Sequence, residues 1–539
     1  MPCARPAGQI LPHCGITGAP LHTGDKDVTD QSYLERILKA NVYEVAIETP
    51  LEHAHRLSQR LRVPVLFKRE DLQPVFSFKL RGAYNRIARL GEAGRRRGVI
   101  ASSAGNHAQG VALAARRLGT RAVIVMPVVT PRIKVDAVRA LGAEIVIHGE
   151  AFDDAYTEAR RLADLQGLEF IHPFDDPEVI AGQGTIGMEI LRQMPAPPAA
   201  IFVPVGGGGL ISGIAAYVKA LYPDVRIIGV EPEESASMSA ALAAGHPVRL
   251  PQVGIFADGV AVREVGQETF RLCQAYVDEM VLVTTDQICA AIRDIFEDTR
   301  TLVEPAGALA VAGLKAWLPR QQAPTGPFVT LNCGANVNFD RLKHIAERAA
   351  VGEDREALLA VEIPERPGAF LAFSEALGQR NITEFNYRYD DGERARIFVG
   401  VTLEQGRGEK KALLKTLADA GYPVTDLSDN EMAKVHIRHM VGGTAPSARH
   451  ERLFRFQFPE RPGALLRFLK AVGTDWNISL FHYRNHGSDY GRVLAGIQVT
   501  ADDGPRFTSH LERLGYAWWD ESDNPAYRLF LGTHDNGTP

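Results

Sequence analysis

Four short stretches carry residue types that can do chemistry together. In S-F-K-L-R-G-A (77–83), Lys79 sits beside Phe76, Phe78 and Leu80. Apolar company disfavours the ammonium form and leaves an amine able to attack a carbonyl. A solitary lysine is usually a solvated surface residue, so Lys79 means little alone. The run Gly206–Gly209 follows the apolar A-I-F-V-P-V (200–205) and precedes the helical pattern 210–221. Such a run lets backbone N–H groups and a helix N-terminus close on an anion, and a phosphate is the obvious guest. A flexible turn is the plainer reading. The dinucleotide fingerprint G-x-G-x-x-G fails in both registers, at Ile211 and at Ser212. Glu231 partly meets its acidic requirement, so the failed glycines weaken that alternative without removing it. In A-S-S-A-G-N-H-A-Q-G (101–110), small residues before a helix suit a carboxylate, with Asn106 and His107 facing it. A plain helix cap is the competing reading. In L-N-C-G-A-N-V-N-F-D (331–340), Cys333 stands at a strand end, where a buried cysteine is ordinarily a small hydrophobe.

These residues need a scaffold, and the periodicity supplies one. Apolar runs at 63–68, 122–127, 144–149, 200–205 and 226–232 read as strands, with amphipathic stretches such as 111–119 and 131–143 between them. Short, near-continuous apolar strands alternating with helices predict a doubly wound α/β domain. Its ligands belong beyond the carboxyl ends of the strands.

After about residue 350 the pattern changes to an internal repeat. P-E-R-P-G-A occurs at 364–369 and again at 459–464, and N-I-T-E-F-N-Y-R (381–388) matches N-I-S-L-F-H-Y-R (477–484). Each copy reads strand, helix, strand, strand, helix, strand, the ferredoxin-like α+β order. The first copy places strands at about 357–363, 383–389, 394–403 and 424–428. The expected division is a tail (1–28), a large α/β domain (29–350), two small domains (355–433 and 451–530) and a linker (434–450).

Composition narrows the class. The 539 residues are 45% hydrophobic and 23% charged, which suits folded soluble protein, and the length calls for several domains. A net charge of −5 argues against nucleic acid as a default partner. Five scattered cysteines without a C-x-x-C pair fit neither a disulfide framework nor a structural zinc site. With no membrane-length apolar run and no signal peptide visible, a cytoplasmic protein is expected.

A lysine, a phosphate cradle, an Asn-bearing loop and a strand-end thiol, all beside α/β strand ends, fit pyridoxal phosphate. Residues 30–345 resemble the fold-type II (tryptophan synthase β-like) pyridoxal-phosphate enzymes. Through S-F-K-L-R-G-A, S-S-A-G-N-H-A-Q-G, G-G-G-G-L and C-G-A-N-V-N-F they resemble the threonine/serine dehydratase family in particular. The repeats resemble the tandem ACT-like regulatory domains of its biosynthetic members. The resemblance implies a Schiff base on Lys79, Phe78 against one ring face, and Asn106 on the cofactor's 3′ oxygen. It implies phosphate held by Gly206, Gly207, Gly208 and Gly209, and Cys333 against the pyridine nitrogen. Ser103, Ala104, Gly105, Asn106 and His107 would hold the substrate carboxylate. L-threonine, and also L-serine, would be deaminated in a homotetramer inhibited by isoleucine and relieved by valine, with Tyr387 and Tyr483 as effector contacts or core aromatics. Glu231 lies where some relatives hold a cation and is otherwise a capping or salt-bridged carboxylate. Glu304 is expected to line the site. Ala104 stands where the related serine racemases carry a hydroxyl, which disfavours racemisation. The surroundings of Lys79 also lack the Gly-Ser-x-Lys-Asp pattern of the cysteine synthases. A serine-preferring catabolic dehydratase and a non-catalytic amino-acid sensor are the alternatives.

Overall fold

The structure is a computed structural model. It describes residues 28–531, except 323, 353–354, 390–392, 405, 431–432, 435–444, 446, 460–463, 474, 485–489, 525–526 and 528–530. Nearly all of the expected tail, most of the expected linker and most of the second P-E-R-P-G-A therefore lie outside the described residues.

Up to Leu331 the described strands are β1 (Leu51–His53), β2 (Val65–Lys68), β3 (Val99–Ser102), β4 (Ala122–Met126), β5 (Glu144–Ile147), β6 (Glu169–Phe170), β7 (Ala200–Pro204), β8 (Arg226–Pro232), β9 (Glu279–Val283) and β10 (Phe328–Leu331). They form a six-stranded sheet in the order β1-β2-β10-β7-β8-β9 and a four-stranded sheet in the order β5-β4-β3-β6. All pairings are parallel except β1 with β2. β3, β4 and β7 are buried along their whole length, as expected of parallel strands covered on both faces.

Two helices bring the S-F-K-L-R-G-A and S-S-A-G-N-H segments together. In Lys79–Ala88, Leu80, Ala83, Tyr84 and Ile87 recur at i, i+3, i+4 and i+7 and are all buried. Asn106–Arg117 crosses it so closely that a Cβ on Gly110 would lie 3.0 Å from the Lys79 carbonyl carbon. No larger residue fits at that crossing without pushing the helices apart.

The remaining strands are β11 (Glu356–Pro364), β12 (Ile382–Arg388), β13 (Arg394–Thr402), β14 (Val424–Asp426), β15 (Glu451–Pro459), β16 (Asn477–Arg484), β17 (Tyr490–Gln498) and β18 (Ala517–Asp520). Both copies have the strand and helix order that the repeat predicts. They are not separate sheets, however. β12 pairs antiparallel with β16, which joins both copies into one eight-stranded sheet. Phe385 faces Tyr483, Asn386 faces His482, and Tyr387 faces Phe481, so the repeat's pseudo-twofold passes through the Asn386–His482 pair. One apolar core serves both copies, with Phe370, Phe385 and Phe481 in mutual ring contact. On the opposite face, Leu358 and Phe398 pack with Val351 from the helix Leu342–Gly352.

Candidate active site

The four sequence signals converge at the carboxyl ends of β3, β7 and β10. Lys79 is the first residue of its helix, and its Nζ donates to the Pro173 carbonyl at 3.3 Å. Burial pulls the ammonium's pKa down to about 8. The Phe78 ring is buried, with its centroid 5.3 Å from the same Nζ.

The residue after Pro173 braces the glycine run. A Cβ on Gly207 would lie 2.3 Å from the Phe174 ring, and one on Gly209 would lie 2.9 Å from the Phe174 carbonyl oxygen. Gly208 is left-handed at φ 94° and caps the helix Gly209–Leu221. Gly206 is crowded by the Val260 backbone. Among the described residues the amides of Gly206 to Gly209 have no hydrogen-bond partner, so they remain available to an anion at a helix N-terminus.

The 103–107 loop is only partly free. Ser103 N–H donates to the Val125 carbonyl, and Gly105 N–H donates to Ser103 Oγ at 3.2 Å. The amides of Ala104, Asn106 and His107 have no partner among the described residues. The His107 side chain departs from the expectation that it faces the loop's ligand. Its ring is buried, and Nε2 donates to the Ile171 carbonyl at 2.9 Å. Burial and the nearby Lys79 drag its pKa to about 3, so it stays neutral. The Asn106 amide is engaged on both sides. Its Nδ2 donates to Glu304 Oε1 at 2.6 Å, and its Oδ1 accepts from Asn336 Nδ2 at 2.7 Å. Glu304 is buried, and burial lifts its pKa to about 7. The Cys333 thiol donates to the Ala306 carbonyl at 3.4 Å, and burial pushes its pKa well up, so it too is neutral.

Three of the expected positions have other surroundings. Glu231 is a capping carboxylate here: it accepts from the amides of Met238 and Ser239 and from Ser239 Oγ, and burial raises its pKa to about 7. Among the described residues no cluster of three or more His, Cys, Asp or Glu suits a metal ion. Tyr387 and Tyr483 lie near the ends of β12 and β16, inside the shared core. The Tyr387 hydroxyl donates to Glu365 at 2.6 Å.

Arg81, two residues after Lys79, anchors the same helix and is not signalled by the sequence. It is fully buried and bonds Glu70, Glu189, Thr185 and the Ile47 carbonyl, while Lys68 also bonds Glu189. Its nearness to Lys79 is visible in the sequence, but its partners are not.

Site and fold together define a pyridoxal-phosphate dependent enzyme. The family model of that description matches residues 42–334, and the C-terminal regulatory domain of threonine dehydratase matches 347–437 and 442–531. The chain is 56% identical to the biosynthetic L-threonine dehydratase IlvA of Burkholderia multivorans, over 94% of this chain and 100% of that one. It is 54% identical to the Escherichia coli protein of the same name, over 93% and 97%. It therefore belongs to the biosynthetic threonine dehydratase family. Among solved structures, the processed form of threonine deaminase isoform 2 from Solanum lycopersicum matches with TM-score 0.59 and 52% identity, over 60% of this chain and 94% of that one. Maize serine racemase matches with TM-score 0.55 and 31% identity, over 58% and 95%. The residues present fit the cofactor: unpartnered glycine amides suit its phosphate, and a lysine easily made neutral suits its aldehyde. No helix among the described residues is long and apolar enough to cross a membrane.

Proposed function

We propose that the chain deaminates L-threonine, and also L-serine, with Lys79 as both cofactor attachment point and base. The observation that carries this is Lys79 itself. Its pKa is near 8, and it bonds the carbonyl next to the residue that braces the glycine run. Gly206 to Gly209 hold the cofactor phosphate, Phe78 packs on its ring, and Asn106 and Cys333 meet its polar edge. The 103–107 loop amides hold the substrate carboxylate. Bound pyridoxal phosphate supplies the electron sink for the charge left at the α-carbon. The Lys79 amine removes the α-proton, as a base tuned toward the working pH can do. The β-hydroxyl departs as water. The resulting enamine tautomerises, takes up water and releases ammonia, giving 2-oxobutanoate. Ala104 offers no proton on the opposite face, so racemisation is disfavoured.

Residues 29–350 form the catalytic unit, and 355–433 and 451–530 form the regulatory pair. Isoleucine inhibits and valine relieves, with Tyr387 and Tyr483 beside the effectors, in a cytoplasmic homotetramer. The shared sheet and core support paired control, because a ligand on one copy acts on packing common to both. The test is 2-oxo acid formation from L-threonine with added pyridoxal phosphate, with and without isoleucine. Turnover suppressed cooperatively by isoleucine is expected. Turnover indifferent to isoleucine would remove the regulatory assignment, and bound cofactor without turnover would remove the substrate.

A further inference from the structure

Asn106 is a symmetric-looking group whose two ends do opposite things. An amide turned by 180° would offer a carbonyl where an N–H is needed. Its local sequence does not settle which way it faces, because a Gly-Asn-His turn accommodates both.

The surrounding bonds settle it in a chain of three steps. Asn336 Nδ2 donates to the Val75 backbone carbonyl at 2.9 Å. A carbonyl only accepts, so that end of Asn336 is the NH2 group. The same Nδ2 lies 2.7 Å from Asn106, so the atom of Asn106 facing it is the oxygen. The Asn106 NH2 therefore faces Glu304, whose Oε1 accepts at 2.6 Å. The frame is also tied by backbone: Glu304 N–H donates to the Gly334 carbonyl at 3.1 Å, and Asn336 N–H bonds the Glu304 carboxylate. A Cβ on Gly334 would lie 2.4 Å from Glu304 Oε1, so a larger residue there would displace the carboxylate. With its oxygen and one N–H engaged, Asn106 has one N–H uncommitted among the described residues.

We infer that Asn336 and Glu304 are positioning residues that lock the Asn106 amide so that it presents an N–H to the cofactor's oxygen. This rests on the reading of Asn106 as a cofactor contact. It accounts for the second half of C-G-A-N-V-N-F as well as the first. Cys333 meets the ring, while Asn336, three residues on, aims a partner from 230 residues away.

The test is cofactor affinity of the apoprotein, read by absorbance and fluorescence titration and needing no turnover. Asn106→Ala and Asn336→Ala are each expected to weaken binding about tenfold, the loss of roughly one well-placed hydrogen bond. The double variant is expected to bind no more weakly than Asn106→Ala alone, since Asn336 acts only through Asn106. Asn336→Asp keeps the volume but replaces the donor with an acceptor, so it should weaken binding more than Asn336→Ala. A packing role predicts the reverse order. Apoprotein melting temperatures separate misfolding from lost affinity. Wild-type affinity in Asn336→Ala, or losses that multiply in the double variant, would overturn the inference while leaving Asn106 as a contact. Wild-type affinity in Asn106→Ala would overturn both.

Discussion

Replacing Arg81 with methionine tests whether the lysine-bearing helix is held by buried charge. Arg81 makes six hydrogen bonds, four of them to the carboxylates of Glu70 and Glu189. With Lys68 the cluster holds two positive and two negative groups, and none of the four side chains is exposed. Burial alone would raise the Glu70 pKa, but the Arg81 guanidinium and Lys68 override it and hold the carboxylate below its ordinary value. Methionine fills similar volume but leaves two buried carboxylates against Lys68 alone. Breaking a buried pair in this way costs about 3–5 kcal/mol. That is a large share of the roughly 5–15 kcal/mol that keeps a domain folded. Neutralising one acid should recover part of the loss. Arg81→Met with Glu70→Gln restores one positive against one negative, so it should fall short of additivity by about 1–3 kcal/mol. The assay is urea unfolding of the full-length holoenzyme, followed by tryptophan fluorescence and cofactor absorbance. A loss under about 1 kcal/mol in the single variant, or strict additivity in the double, would refute the reasoning.

The remaining predictions concern the site and its surroundings. Apoprotein should capture pyridoxal phosphate faster as pH rises through about 8, where the rate is half-maximal, and level off above that, because only the neutral Lys79 amine attacks; stopped-flow absorbance checks this. Gly207→Ala should abolish or sharply weaken cofactor binding, since its Cβ collides with Phe174, and Phe174→Leu in the same background should recover part of it. By contrast Gly105→Ala, with open space around its Cβ, should fold and bind cofactor. Glu231 has a folded pKa near 7 against 4.5, so its stabilising contribution is complete below about pH 4.5 and lost as pH rises through 7. Wild type should therefore lose up to about 3 kcal/mol relative to Glu231→Gln between pH 4.5 and 8, measured by denaturant midpoints. Cys333→Asp should increase racemisation and transamination products, because a carboxylate can hold a ring-nitrogen proton that a neutral thiol cannot; product ratios by chiral chromatography check it.

How much of the molecule is legible in the sequence follows the range of the interactions. The strands at 65–68, 122–126, 144–147, 200–204 and 226–232 are legible because each is an apolar run between turn signals. β6 is not, because two partly buried residues carry no period. β3 is hidden because its last residues, Ala101 and Ser102, also read as the start of the loop that follows. The glycine run, Lys79 and Cys333 are visible as residue types. What positions them is not. Glu304 meets Asn106 across 198 residues and Asn336 meets it across 230, and no local pattern encodes such pairs. The Arg81 cluster is illegible for the same reason: its carboxylates come from Glu70 and Glu189 in different elements.

The repeat shows the same limit from the other side. An offset of 95 to 96 residues is enough to predict two like units, because each carries its own strand and helix pattern. It does not predict their fusion, because an edge strand's free N–H and C=O groups look alike whether they face water or a partner. In each copy the second strand would be such an edge. Pairing β12 with β16 removes both edges at once, and alternate residues then set Phe385 and Tyr387 against Tyr483 and Phe481 in one core. A one-residue slip would turn all four aromatics to the other face, so the register is fixed by burial rather than by hydrogen bonds. That face receives Val351 of Leu342–Gly352, the helix that leads from the catalytic sheets into β11. A ligand that favours one arrangement of the shared core would act on a sheet whose other face packs on the helix leading out of the catalytic sheets, which gives the proposed control a short path.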